Sequence, residues 1–462
     1  MKQESVTSKV AKPKQGVVHP TGSIEEERQT SDLRSRWNWV EKSIWTDNML
    51  AALENGVKGG KWFSLIDKVM KTETLYQAWM KVRANRGAGG VDNITINKFE
   101  ANCFKYLMEI QEDLQKERYR PKAVKRVNIP KGDGTTRPLG IPVIKDKVVQ
   151  MALKMTLEPI FEKDFHPNSF GFRPQKGAKD ALREVDRLLK KGYLHVVDVD
   201  FESFFDSIPH DRLLQLIEER ISDGRVLKLL EQFLSQEVLE GMQGWVPTKG
   251  TPQGGVISPL LANIYLNPLD HLADDLDVTL IRYADDFVVL TRTREEAERL
   301  MVAITQWSNK VGLAVHPEKT KLIDYARGEG FDFLGYHFCC GFRKPRDKSF
   351  KRLKDAIRKK TRRTCGRAMN CIIADLNPVL RGWYGYFKHA NQSWLRLVDQ
   401  TVRRRLRAIY RKQEKRPGQG HTPADHLRWR NSHFANLGLF TLLEAAKLTA
   451  SNRQPKLACQ SR

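Results

Sequence analysis

The sequence is short of several things, and each absence narrows what the chain can be. Its six cysteines (Cys103, Cys339, Cys340, Cys365, Cys371 and Cys459) are spread over 462 residues. No pair is spaced C-x-x-C and no Cys/His set has zinc-ligand spacing, so neither a zinc module nor a disulfide framework is expected. They read as the reduced thiols of an intracellular protein. No apolar run approaches the roughly 18 residues a membrane span needs, and the first thirty residues are too polar for a signal peptide. A cytoplasmic protein with no membrane partner is expected. There is no internal repeat. Acidic side chains are nearly missing from the last quarter, where residues 341–462 hold 7 of the 55 Asp and Glu but 30 of the 79 Lys and Arg. The first 340 residues are close to neutral, and almost all of the formal charge of +24 lies beyond them.

Such a basic segment is often a solvated face or a disordered tail. This one is interleaved with Trp383, Tyr384, Tyr386, Phe387, Trp394, Tyr410 and Trp429, which a disordered tail would lack. A folded domain that binds a polyanion fits better, and phosphate backbones are the usual target of such a field. Residues 394–412 place Leu395, Val398, Val402, Leu406 and Ile409 on one helical face and arginines on the other. Upstream, residues 1–30 lack periodicity and read as a disordered lead-in. Residues 31–80 and 93–119 look helical, separated by the glycine-rich "RANRGAGGVD" (83–92). From 120 to 340, strand-sized apolar runs alternate with helical stretches, as in an α+β core. The runs 194–205 and 331–338 each read as one strand. Residues 294–312 read as an amphipathic helix with Ala297, Leu300, Met301, Ile304, Trp307 and Val311 on one stripe.

The stretch "TLIRYADDFVVL" (279–290) reads as a hairpin with Asp285 and Asp286 at its turn. Asp is common in turns, and a solvated turn is the ordinary use of such a pair. Here Leu280, Ile281, Val288, Val289 and Leu290 make the flanking strands buried ones, so the carboxylates belong to a core sheet. A second apolar strand, "VVDVD", ends at Asp200. If the two strands are neighbours, Asp200 and Asp285 meet at one sheet edge. Hard oxygen ligands in that arrangement suit Mg²⁺, which takes one or two carboxylates plus substrate phosphates. Two such ions clamp the attacking and leaving oxygens of an in-line phosphoryl transfer. Asp198 shares the strand parity of Asp200, and Asp206 follows shortly after, so both stay open as alternative ligands.

Y-A-D-D in a hairpin, preceded by D-x-x-x-F-F-D after an apolar strand, resembles the reverse transcriptases. "PKGDGTTRPLGIP" (130–142), "NSFGFRP" (168–174), "GTPQGGVISPLLANIYL" (250–266), "VHPEKTK" (315–321) and "FDFLGYHF" (331–338) fall in that family's order. "RANRGAGGVD" and "RGWYGYF" (381–387) are similar to the N-terminal and the maturase, or thumb, blocks of the group II intron-encoded reverse transcriptase/maturases. The likeness runs over roughly residues 45–450. It implies a right-hand polymerase of α+β class followed by an α-helical thumb/maturase domain. The expected divisions are a lead-in (1–30), a helical extension and start of fingers (31–119), fingers and palm (120–340), a basic thumb/maturase domain (341–416), and a maturase/DNA-binding extension (417–462). The implied activity is RNA-directed DNA polymerisation that copies an intron RNA and assists its splicing and mobility. Implied partners are group II intron RNA, an RNA template with a DNA primer, target DNA and deoxynucleoside triphosphates, within a ribonucleoprotein of the bacterial cytoplasm or nucleoid. A homodimer is left open. Two Mg²⁺ ions are the implied cofactors.

Carried over residue by residue, the resemblance makes Asp200, Asp285 and Asp286 the catalytic metal-binding set, with Phe201 lending a backbone carbonyl. Phe204 and Phe205 are adjacent, so on a strand only one faces the site. Resemblance favours Phe205, whose ring would exclude a 2′-hydroxyl by shape. Lys131 and Arg137 flank the turn "GDGTT" and can lay a point charge and a bidentate fork on a triphosphate, or be solvated charges of a surface hairpin. Gln253, between glycines, is expected on the nucleotide or the template base, with a structural loop as the competing use. Lys319 is expected to protonate pyrophosphate or to be a solvated loop lysine. Arg173 is expected to support the template path or the finger, Gly335 and Tyr336 to lie in the primer-holding hairpin, all three counted as template/primer-binding, and Arg403, Arg404 and Arg407 are expected on RNA. Trp383 and Tyr386 can stack on bases or, the commoner use, pack between helices.

Two departures stand out. After "GFRP" the chain runs Gln175-Lys176-Gly177-Ala178-Lys179-Asp180, where relatives often have Arg-Ser and a His before the Asp. Many relatives also end in a zinc-supported HNH nuclease, and no paired cysteines for one occur here, so no HNH domain is expected. Other readings are a reverse transcriptase domesticated for repair or phage defence, and an RNA-binding splicing factor without polymerase activity. The intact Asp set speaks against the latter. An RNA-templated RNA polymerase would want a smaller or polar residue at the sugar-facing position.

Overall fold

A computed structural model describes residues 32–130 and 134–451. The expected lead-in at 1–30, and Lys131, lie outside the described residues. The chain forms two compact units. Of the described residues, one comprises 32–120, 143–163 and 218–229, the other 121–130, 134–142, 164–217 and 230–451.

The first unit is helical. Helices α1 (Thr72–Ala84), α2 (Cys103–Gln115) and α3 (Ile144–Glu162) pack on one another. α1 buries Leu75, Ala78, Trp79 and Val82, and α2 buries Leu107, Ile110 and Leu114, the spacing of a single apolar stripe. α3 buries residues on every side, as an enclosed helix must. One carboxylate organises the 218–229 segment. Asp223 accepts from the Leu65 and Ile66 N–H groups at 2.6 and 2.8 Å, and from Arg225 and Val226 at 3.1 Å each. The glycine-rich "RANRGAGGVD" is a close approach of backbones, since a Cβ on Gly90 would lie 2.7 Å from the Val143 nitrogen.

The second unit is built around a four-stranded antiparallel sheet in the order β6-β7-β3-β8, where β3 is His195–Val199, β6 Thr279–Tyr283, β7 Asp286–Thr291 and β8 Lys321–Asp324. Alternation sorts the side chains onto two faces. Val196, Ile281, Val288, Leu290 and Ile323 pack with Ala181, Leu182, Val185 and Leu188 of helix α4 (Ala178–Lys190). The other face meets helices α5 (Ser258–Asp275) and α6 (Arg294–Lys310). α6 opens with a capping box, Thr293 accepting from the Glu296 N–H.

Two expectations need correction. The strand read over 194–205 stops at Val199, and Phe204–Ser207 is a helical turn entered through Ser203 at φ +45°. Its aromatics pack in a helical turn, not on a pleat. The run 331–338 is two strands, β9 (Phe331–Phe333) and β10 (Tyr336–Cys339), folded back at Leu334-Gly335, both with positive φ. With β11 (Phe342–Pro345) they form a three-stranded sheet in the order β11-β10-β9.

A second four-stranded sheet, β2-β1-β4-β5, carries the finger hairpin, in which β1 (Val124–Pro130) pairs antiparallel with β2 (Thr136–Ile141). β4 (Val238–Glu240) and β5 (Gln243–Trp245) extend it. The basic C-terminal part is a helical bundle of α7 (Asp347–Lys360), α8 (Met369–Phe387) and α9 (Gln392–Gln413), closed by shorter helices from Pro423 onward. Leu395, Val398, Val402, Leu406 and Ile409 of α9 lie in its core with Leu353, Ile372, Leu376, Leu380 and Phe434. Among the described residues no helix is long and apolar enough to cross a membrane.

Candidate active site

The β6–β7 hairpin closes on the pair Tyr283↔Asp286, leaving Ala284 and Asp285 as a two-residue loop with Ala284 at φ +62°. Such loops require a positive φ, which a non-glycine residue adopts only under constraint. The constraint is visible. Arg282, with no exposed side chain, reaches along Asp270 of α5 through Nε at 2.7 Å and Nη2 at 2.5 Å. Its Nη1 donates to Asn263 Oδ1 at 2.9 Å and to the Ala284 carbonyl at 3.0 Å. From the other side, the segment 168–171 clamps the same strand. The Phe170 N–H donates to the Arg282 carbonyl at 2.8 Å, the Arg282 N–H donates to Asn168 at 3.0 Å, and a Cβ on Gly171 would collide with the Tyr283–Ala284 peptide. Sequence reading passed over Arg282, Asp270 and Asn263. The one signal was a lone arginine inside an apolar strand, which has to find a buried partner.

Asp200 follows the last residue of β3. The register Val199↔Phe287, continued by one step, sets Asp200 opposite Asp286. Asp198 is on the same face of the sheet, opposite Lys321. Asp198, Asp200, Asp285 and Asp286 all open into one recess of about 520 Å³, shared with Lys319, Asp332, Gly335 and Arg346. Lys319 Nζ pairs with Asp200 Oδ2 at 2.9 Å, and the Asp200 carbonyl accepts from the His316 N–H at 2.8 Å. The crowding of like charge shows in the titration. Burial, then the charges of Asp198, Asp285 and Asp200, push Asp286 up to about 7. Burial, then Asp200 and Asp332, push Asp198 up to about 6. Asp285 is raised too, first by burial and also by Asp200. Asp286 keeps an exposed edge at the strand end, but its neighbours leave its charge little compensated.

Among the described residues no three His, Cys, Asp or Glu side chains form a ready-made metal cage. That is compatible with Mg²⁺, which takes one or two carboxylates and completes its shell with water and substrate phosphate. Hard carboxylates repelling one another in one recess, Asp200 also paired with Lys319, are a donor set that a divalent cation would relieve.

The remaining expected residues fall into three groups. Arg137, on β2, donates from Nε to Gln253 Oε1 at 2.8 Å, so the finger and the "GTPQGG" loop meet. Phe205 lies beside Phe204, their ring centroids 5.3 Å apart, and both are buried. Phe201 bridges to Val315, which docks the 313–320 segment on the end of β3. Asp206 does not line the recess. It accepts from Gln253 Nε2 at 3.4 Å, so the alternative that it binds metal with Asp200 is not supported.

Three expectations fail on burial. Arg173, expected on the template, is 8% exposed and donates to the carbonyls of His166 (2.6 Å) and Ser169 (2.8 Å), bracing the segment that clamps the hairpin. Tyr336, expected on the primer, is 1% exposed, its hydroxyl donating to the Tyr386 carbonyl at 2.7 Å. Arg407, expected on RNA, is 2% exposed and donates to the Trp429 carbonyl and to Asn431 Oδ1, each at 2.9 Å. Gly335, at φ +79°, turns the β9–β10 hairpin, and its carbonyl accepts from the Arg346 N–H at 2.8 Å. Tyr386 donates to the Leu334 carbonyl at 2.7 Å and so fastens α8 to that hairpin, while Trp383 stacks on Phe387 of its own helix. Arg404 is exposed and Arg403 half-buried.

Known proteins agree with this geometry. Residues 129–338 match the model of the reverse transcriptase (RNA-dependent DNA polymerase) family, and residues 350–427 match the group II intron maturase-specific domain. Protein YkfC of Escherichia coli is 31% identical over 315 residues, which cover 59% of this chain and 82% of that protein. The chain belongs to the reverse transcriptases that carry a group II intron maturase domain. The group II intron-encoded protein LtrA of Lactococcus lactis is 33% identical over 258 residues, covering 55% of this chain but 42% of LtrA. Thus the chain matches less than half the length of that relative. Apo telomerase from Candida tropicalis superposes with a TM-score of 0.44 at 17% identity, over 69% of this chain and 59% of that one. By its two family matches this reverse transcriptase has an RNA-directed DNA polymerase domain followed by a maturase domain, and its own elements make a mixed α/β fold with a helical C-terminal part.

Proposed function

We propose that this reverse transcriptase copies a group II intron RNA into DNA with two Mg²⁺ ions held by Asp200, Asp285 and Asp286, and that its C-terminal domain helps the same RNA to splice. The observation that carries the proposal is the meeting of these carboxylates in one recess, where burial and mutual repulsion raise Asp285 and Asp286. When bound, the ions would acidify a primer 3′-hydroxyl and neutralise the triphosphate. The chain's own residues set the geometry. Arg282 and the 168–171 segment hold the Asp285 loop rigid. Arg137 and Gln253 stand where finger and palm loops meet, suited to triphosphate and base. Lys319, paired with Asp200 at 2.9 Å, must release that carboxylate to the metal and can then donate a proton to pyrophosphate. The Phe205 ring excludes a ribose 2′-hydroxyl by shape. Exposed Arg404 and half-buried Arg403 bind RNA phosphates. Template, primer, target DNA and deoxynucleoside triphosphates are the substrates and partners this reading requires.

Primer extension on an RNA template with Mg²⁺ tests the reading, comparing deoxy- with ribonucleotides. Deoxynucleotide extension by the wild type, lowered at least about 10³-fold in Asp285→Ala with RNA binding kept, is the expected result. Unchanged extension by that variant would overturn the metal assignment. RNA binding without extension by the wild type would favour the splicing-factor reading.

A further inference from the structure

The "GTPQGG" loop is wedged between two elements. On one side is the helical turn Phe204–Ser207. The Thr251 N–H donates to the Phe205 carbonyl at 2.6 Å, and the Gly250 N–H donates to Ile208 at 2.7 Å. A Cβ on Gly250, which has φ +90°, would lie 2.8 Å from the Asp206 Cα. On the other side is β2, where the Gly140 N–H donates to the Gln253 carbonyl at 2.6 Å. Gln253 is thereby held at its backbone, and its side chain is oriented by two unlike partners. Its Oε1 accepts from Arg137 Nε at 2.8 Å, and its Nε2 donates to Asp206 Oδ2 at 3.4 Å.

We infer that Asp206 is a positioning residue for the incoming nucleotide, fixing the amide of Gln253 and, through it, the guanidinium of Arg137. The inference rests on the reading of Arg137 and Gln253 as nucleotide-binding groups. An amide has two ends, and only one of its orientations offers oxygen to Arg137. A carboxylate, which can only accept, selects the orientation with the NH₂ towards itself. Arg137 is engaged through Nε, which leaves its two Nη groups as the edge that can fork onto phosphate oxygens. A carboxylate near a triphosphate site would repel it were it alone. Burial raises Asp206, and the positive charges of Arg126 and Arg137 work against that shift and counter the carboxylate's charge. The helical turn explains why a site residue lies six positions beyond Asp200. The strand ends at Val199, and the turn carries Asp206 away from the metal recess to the loop.

Steady-state primer extension separates the possibilities. Asp206→Ala is expected to raise KM for deoxynucleotides about tenfold, the loss of one charge-assisted hydrogen bond, with a smaller change in kcat. Asp206→Asn, which can still accept from Gln253, is expected to remain closer to wild type. Gln253→Glu puts two carboxylates face to face and is expected to raise KM, and Gln253→Glu with Asp206→Asn is expected to recover part of the loss. That rescue is not open to a merely structural aspartate, and it does not require the alanine variant to fold. Absence of rescue, or Gln253→Ala raising KM while Asp206→Ala does not, overturns the positioning role and leaves the nucleotide-binding reading standing. If neither Gln253→Ala nor Arg137→Ala raises KM, that reading falls, and the inference with it.

Discussion

In the palm, Asp198 and Asp286 sit at the rim of the central sheet with no arginine hydrogen-bonded to either carboxylate among the described residues. A few residues back along the same hairpin, Arg282 is fully enclosed and uses three nitrogens on Asp270, Asn263 and the Ala284 carbonyl. The thumb repeats the second pattern in the most basic part of the sequence. There Arg407 is spent on Trp429 and Asn431, and Arg405 Nε donates to Thr361 Oγ1 at 2.6 Å. A charge with all its directions used is architecture. A charge that neighbours crowd, and that Arg346 counters only through space, is available for a ligand. By that criterion the acidic recess is the candidate site, whereas part of the thumb's basic character is internal scaffolding.

The comparison is broken most severely at Arg282. Replacing it with Met strands Asp270 as an uncompensated buried charge, and a loss of about 3–5 kcal/mol is expected. Adding Asp270→Leu should return much of it, because an apolar pair of similar volume avoids both desolvation costs. Urea denaturation of the single and double variants measures this. No recovery in the double variant would mean that Arg282 matters chiefly as the holder of the Ala284 carbonyl. Arg407→Ala is the thumb counterpart. It should cost about 1–3 kcal/mol through the unmet Trp429 carbonyl. An Arg407→Ala variant of wild-type stability but poor RNA affinity would restore Arg407 to the RNA surface.

How far the sequence could be read follows the same division. The hairpin 279–290 and its two carboxylates were legible because apolar runs on both sides force the strands inward and leave few places for Asp285 and Asp286. The α9 stripe was legible from its period. Arg407 was not, since three arginines at 403–405 precede it and only the packing of the 423–436 segment, far along the chain, decides which face is covered. Tyr336 and Arg173 were misjudged for a related reason. Motif membership marks a residue as needed, and a residue that braces the site is needed as much as one that touches substrate. Asp206 shows the converse. Sequence spacing placed it near the metal, and the turn at Ser203, a break in the strand that no apolar pattern announces, moved it to the loop.

A smaller effect tests the crowding of the recess. Asp286 at about 7 and Asp198 at about 6 bind protons more tightly folded than unfolded, where an ordinary aspartate titrates near 3.8. The stability they contribute is full below about pH 4 and is lost as pH rises through 6 to 7. A cation that takes the charged form should reverse this. At a Mg²⁺ concentration about tenfold over Kd, the gain is about 1.4 kcal/mol. It should appear as a rise in Tm of a few degrees at pH 8 and a much smaller one at pH 5. Equal shifts at both pH values would show that Mg²⁺ binds elsewhere.

The smallest effect lies on the exposed side of α9. Arg404 is open to solvent, so Arg404→Ala should leave the thumb's stability within about 0.5 kcal/mol. On RNA it should remove about one phosphate contact, lowering the slope of log K against log salt by about 0.7–0.9. The effect should be uniform across sequences, because a phosphate contact carries no sequence information. Filter binding from about 50 to 200 mM salt resolves such a change. If Arg404→Ala leaves the slope unaltered while Arg407→Ala steepens or flattens it at unchanged Tm, then exposure is the wrong guide in this helix, and the arginines that bind RNA are the ones enclosed in the thumb.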